Sequence, residues 1–254
     1  MSSLIDISTT DYLPLAEGRD ITALFLGWRD YQSGLWLPVA KMNWAADLSQ
    51  YYFRYTEGMN QVIQVSLIEK NAFIHHPDRM YQTQTTKQVS MDFESRMPLH
   101  HFKYVPKQQE WFGLPGDPID PIRFVARSGG YRYGDSYDVF PEIKPDLAGN
   151  YHFYFLPLDP WKTEPVIHEH ILQLQLQQRL QIDAGKLKDG EIQLGKLPGY
   201  LSVMAQTCPE AVSIEVAKVN HKSPDYYSLL CHATVNGQLL TPFAGEEYLT
   251  CMPF

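Results

Sequence analysis

Cysteine, long apolar stretches and positive charge are all scarce in this 254-residue sequence. The three cysteines, Cys208, Cys231 and Cys251, are irregularly spaced, which excludes a disulfide framework and a zinc pattern. The longest apolar run, around Ile21 to Trp28, falls far below the roughly 18 residues a membrane span needs. Met1-Ser2-Ser3-Leu4 lacks the basic start and apolar stretch of a signal peptide. A cytoplasmic protein without membrane association is therefore expected. The formal charge of −8 removes the global attraction behind non-specific nucleic-acid binding. Any contact with DNA has to come from a local patch.

Aromatic residues are plentiful: 16 Tyr and 12 Phe favour strands, where flat rings pack on a pleated surface. The 18 Pro and 16 Gly argue for many turns and short elements. An apolar share of 44% with 20% charged residues belongs to an ordinary globular chain.

Residues 1–20 are polar and aperiodic, and read as a lead-in. A β-meander follows, with strands at Ile21 to Trp28, Leu35 to Met42 and Tyr51 to Tyr55. From Gly58 to Ile74 the apolar spacing fits a helix and a strand equally. His75 to Pro118 reads as a long connection with one short helix. Asp120 as N-cap, Pro121 at the first helical position and Gly129-Gly130 as a stop predict a helix between them. Ser136 to Phe140 and Tyr151 to Leu156 are expected to form a strand pair. Prolines cluster from Leu156 to Pro165, the candidate domain boundary. Beyond it, His170 to Ile182 fits strand or helix. Strands are expected at Glu191 to Leu194, Val212 to Val219 and Leu229 to Val235, with a short helix at Gly199 to Thr207.

Asp120 to Gly130, with Asp135-Ser136-Tyr137-Asp138-Val139-Phe140-Pro141, resembles a block of bacterial HIRAN-domain-containing proteins. The meander from Leu24 to Gly58 resembles the start of those proteins and the small N-terminal β-domain of HipA-type toxin kinases. Leu194-Gly195-Lys196-Leu197-Pro198 resembles the Gly-x-hydrophobic-Pro step of a HIRAN module, although Leu180 to Gly190 lacks the Asn-Pro-x-Asp, Asn-Ala signature usual before it. The resemblance implies a β-rich fold and recognition of DNA ends.

The fold class expected is α+β and β-rich, a β-meander module followed by a small β-barrel-like module. Its divisions are a lead-in over 1–20, an N-terminal module over 21–157 and a degenerate HIRAN-like module over 166–254.

Chemistry-bearing clusters are few. His168-Glu169-His170 on a strand would put two imidazoles on one face, but HExxH spacing and a marked third ligand are missing. The pairs His75-His76 and His100-His101 read as polar loop residues. Cys231 and His232, adjacent on a strand, send their side chains to opposite faces and make a poor dyad. No Walker lysine, nucleophile elbow or kinase residue set is visible, so the HipA-like start is not followed by a HipA-like kinase. Arg123, Arg127 and Arg132 interleave with Tyr131 and Tyr133, a composition that clamps phosphates and stacks bases. The same stretch also reads as a solvated helix end. The leading expectation is a non-catalytic regulatory protein that binds DNA ends or single-stranded DNA through these five residues and needs no cofactor or metal. One rival is a protein-interaction role, such as an antitoxin-like partner of a kinase or other effector. The other is a metal-dependent enzyme using a histidine cluster.

Overall fold

The computed structural model describes residues 21–30, 32–45, 50–65, 84–86, 109–114, 121–130, 136–158, 165–224 and 227–251. They build an α+β, β-rich fold with two antiparallel sheets. The first sheet runs in the order Gln84–Thr86, Gln50–Tyr55, Trp36–Ala45, Ile21–Arg29 and Tyr137–Ile143, and the second in the order Asn150–Phe155, Leu229–Asn236, Val212–Val219, Arg179–Asp183, Lys186–Asp189 and Ile192–Lys196.

β1 (Ile21–Arg29), β2 (Trp36–Ala45) and β3 (Gln50–Tyr55) form the expected meander. β4 (Gln84–Thr86) pairs with β3 on one edge, and β5 (Tyr137–Ile143) pairs with β1 at the other. The loop after β1 closes on itself, with Asp30 accepting from Gln32 N–H, Ser33 N–H and the Ser33 hydroxyl. Gly34 follows at φ 76°, a conformation open to glycine at little cost. The stretch after Gly58 resolves as helix, α1 (Glu57–Val65), as far as it is described.

Alternation along β1 splits two cores. Leu24, Leu26 and Trp28 face α1, together with Val125 and Ala126 of α2 (Pro121–Ser128). Ala23 and Phe25 face the other way, and Phe25 joins the core of the second sheet. α2 ends at the glycine stop: Gly129 adopts φ 69° and gives its N–H to the Val125 carbonyl. Asp120, the expected N-cap, lies outside the described residues.

β5 and β6 (Asn150–Phe155) do not form the strand pair expected between them. β5 pairs with β1, whereas β6 pairs with β11 (Leu229–Asn236) in the second sheet. The linker between them, residues 144–149, carries the chain from one sheet to the other. β6 therefore precedes the proline cluster yet shares a sheet with strands that follow it.

The second sheet continues through β10 (Val212–Val219), β7 (Arg179–Asp183), β8 (Lys186–Asp189) and β9 (Ile192–Lys196). The barrel-like closure expected for this half is corrected here: the sheet is open. Its two ends meet through one isolated bridge, Leu158 with Lys196, and β7 touches β10 over a short stretch only. Two helices cover its inner face, α3 (Pro165–Ile171) and α4 (Gly199–Thr207), which contribute Ile171, Tyr200, Leu201 and Met204 to the core. The stretch from His170 to Ile182, open between helix and strand, divides into the end of α3, a turn and β7.

The sheets share one core. Phe140 of β5 stacks on Phe25 and on Tyr200 of α4, with centroids 5.3 and 4.9 Å apart. Beside them, Asp138 accepts from the Trp36 indole N–H at 3.0 Å and from the backbone N–H of Gly199 at 2.9 Å. One buried carboxylate thus joins β2, β5 and the first turn of α4.

Candidate functional site

The arginine–tyrosine segment separates in the structure. Arg127 is buried, 5% exposed, donates to the Phe112 carbonyl and lies over the Tyr154 ring at 4.8 Å. That guanidinium braces α2 against the outer face of the second sheet, where the expectation had it meeting phosphate. Arg123 is half-buried on the same helix. Tyr131, Arg132 and Tyr133 lie outside the described residues, as do His75, His76, His100 and His101.

His168, Glu169 and His170 sit on α3, where positions two apart diverge instead of sharing a face. His170 pairs with Asp189 at 2.8 Å. Among the described residues no group of three or more His, Cys, Asp and Glu is placed to hold a metal ion. Cys231 points into the core and His232 outward, as strand alternation requires. All three thiols are held in the neutral form: burial pushes Cys231 and Cys208 up, and Cys251 rises to about 12 with Glu57 adding to the burial. Activated thiolates show the opposite shift.

The structure opens a cleft where β7 and β10 part. Their ladder pairs Arg179 with Glu215 and Leu180 with Ile214. Continued, it would set Gln181 opposite Ser213 and Ile182 opposite Val212, and neither pair forms. Two local devices drive the strands apart. β7 returns into β8 through Ala184 and Gly185, at φ 48° and 77°, the positive pair of a tight hairpin whose twist draws β7 toward β8. β10 is anchored instead to the end of α4 by the 3-10 turn Pro209–Ala211, whose Pro209 carbonyl takes the Val212 N–H.

The cleft has a volume of about 390 Å³. Leu180, Ile182, Val212 and Ile214 give it apolar walls, and Gln206, Ser213 and Arg179 give it polar ones. No aromatic side chain is among its lining residues. Alternation turns the main-chain groups of Ile182 and the carbonyl of Val212 toward the gap. Arg179 is exposed, and among the described residues no side chain pairs with it.

On the outer face nearby, four side chains form a row. Asp146 Oδ2 lies 2.8 Å from His152 Nε2, His152 Nδ1 lies 3.1 Å from His232 Nε2, and His232 Nδ1 lies 2.9 Å from Glu215 Oε1. Tyr154 stacks on His232 at 4.5 Å. Burial drives the His232 imidazole toward its neutral form, against the opposing pull of Glu215. The hydrogen bond from His152 holds Asp146 down at about 2.

Neither cleft nor row was visible in the sequence, because their members come from separate strands. Asp146, His152, Glu215 and His232 lie up to 86 positions apart in the sequence. The available signal was parity: His152, Glu215 and His232 occupy outward positions on strands whose alternate residues are core.

No family model, no curated protein and no solved structure matches this chain.

Proposed function

We propose that the chain is a non-catalytic interaction module that receives an extended segment of a partner protein in the cleft between β7 and β10. The parting of a ladder that both strands had room to continue is the observation that carries this reading. A segment lying there meets main-chain groups aligned for strand addition and apolar walls for its inward side chains. The volume is in the range of ligand-binding clefts, from about 300 Å³ upward. Recognition of DNA ends receives less support at this site. The cleft has no ring on which a base could stack, and the Arg127 guanidinium is engaged inside the fold. Among the described residues His152, His170 and His232 are taken up in hydrogen-bonded pairs and a row, and no group of three or more His, Cys, Asp and Glu is placed to hold a metal ion, so the metal-dependent enzyme has no comparable support there.

The test is an array of capped hexapeptides alternating valine and threonine, read by fluorescence anisotropy. Binding is expected for the wild type. In Gln206→Trp, where an indole enters the cleft from an exposed position, binding should weaken by at least about tenfold. Stability should stay within about 0.5 kcal/mol, as for other surface substitutions. Equal binding by the wild type and this variant would remove the cleft from consideration.

A further inference from the structure

The row on the outer face has a proton count that its geometry dictates. Three contacts link Asp146, His152, His232 and Glu215, and each needs one hydrogen between its two heavy atoms. Ionised carboxylates contribute none, and each neutral imidazole contributes one. The row is complete only with a third proton, which turns one ring into an imidazolium.

The surroundings select the ring. His232 is the more buried, and desolvation together with the positive charges of Arg127 and His152 disfavours a proton there. His152 is more exposed and touches the Asp146 carboxylate. Protonated His152 donates from both nitrogens, to Asp146 and to His232, leaving His232 to donate through Nδ1 to Glu215. The uncharged Tyr154 ring covers His232, and Arg127 lies beyond it. Removing the third proton leaves one of the three contacts without its hydrogen. Where both outer contacts are kept, two lone pairs face each other at 3.1 Å, and a turn of His232 that relieves them releases Glu215.

Glu215 stands directly opposite Arg179, one pair before the ladder parts. Side chains so placed have Cβ atoms about 4.5–5.5 Å apart, within reach of an ion pair. We propose that binding in the cleft is proton-linked and selects an acidic segment. With the row protonated, Glu215 is held by His232 and Arg179 is left to meet a carboxylate on the ligand. With the row deprotonated, Glu215 takes Arg179. The inference rests on the cleft as the binding site.

The probes are three capped valine–threonine hexapeptides carrying aspartate, asparagine or lysine at one central position. For the wild type, the aspartate peptide should bind about two- to fivefold more weakly at pH 8 than at about pH 5.5, the range in which imidazoles change charge. The asparagine peptide should show no such change. Glu215→Gln should keep the aspartate peptide bound equally at both values. His152→Gln should do the same, since its amide can donate to His232 at any pH. Nitrogen-detected spectra of the two rings give a readout that needs no ligand: the hydrogen between them should appear on acidification. Binding of all peptides without pH dependence would overturn the proton link and leave the cleft reading standing. Absence of binding by every peptide would end both, even with the rings titrating as a coupled pair.

Discussion

Two places where strands and helices converge on the second sheet treat their polar groups in opposite ways. At the junction around Asp138, both carboxylate oxygens accept hydrogen bonds, and glycines at 27 and 199 clear the space. A Cβ on Gly27 would stand 2.4 Å from Asp138 Oδ1 and from the Trp36 ring, and one on Gly199 would stand 2.2 Å from Trp36 Nε1. At the cleft between β7 and β10, a ladder stops early and the guanidinium of Arg179 has no partner among the described residues. The junction uses its polar groups to fix the two sheets together. The cleft leaves them facing outward. Saturation marks structure, and unsatisfied pairing capacity beside apolar walls marks a place for something else.

The sharpest way to break this contrast is Asp138→Ala. It strips the acceptor from two buried donors, the Trp36 indole and the Gly199 N–H, at about 1–3 kcal/mol for each unsatisfied group. A total loss of about 2–6 kcal/mol is expected in urea unfolding. Asp138→Asn keeps an acceptor oxygen and should lose less. A change no larger than that of Gln206→Trp would mean the junction holds nothing together.

A smaller loss is expected at α2, which contacts both sheets through Phe124 on one side and Val125 and Ala126 on the other. Gly129 ends that helix at φ 69°, and an added Cβ meets nothing closer than the Val139 carbonyl at 4.0 Å. Gly129→Val therefore tests backbone strain with no steric clash, at about 1–2 kcal/mol or somewhat more for a β-branched residue. The melting temperature should fall, and peptide binding at the folded temperature should not. Loss of binding with unchanged stability would tie α2 to the cleft and blur the distinction.

Local patterns in the chain made part of this legible. The meander from Ile21, the glycine stop at Gly129 and the opposed faces of Cys231 and His232 follow from periodicity and turn chemistry, which act over a few residues. Partner choice among strands was not legible. Tyr151 to Leu156 reads as the partner of Ser136 to Phe140, and only the packing of the whole sheet sets it against β11 instead. Arg127 shows the same limit at a site: the arginines interleaved with Tyr131 and Tyr133 suggest a phosphate clamp, while the tertiary fold places Arg127 over Tyr154. The cleft depends on a ladder that stops, and residue patterning along one strand does not record where its neighbour leaves.

The smallest effect, and the one that refines the comparison most, concerns the crossing between the sheets. Asp146 sits in the linker from β5 to β6, exposed, and accepts from Ala148 N–H, Asn150 N–H and His152. Like Asp138 it is a saturated carboxylate, but it lies in solvent. Its hydrogen bonds hold its pKa down from 3.8 to about 2. A depressed carboxylate stabilises the folded chain above its unfolded pKa, and that contribution disappears as pH falls through the folded one. The window is therefore about pH 4 down to about pH 2. In urea unfolding across this window, the wild type should lose stability faster than Asp146→Asn, whose amide oxygen does not titrate. The two curves should stand apart at pH 5 and converge near pH 2. Parallel curves would show that Asp146 gains nothing from its partners. The saturation rule would then hold only where water is excluded, as it is around Asp138.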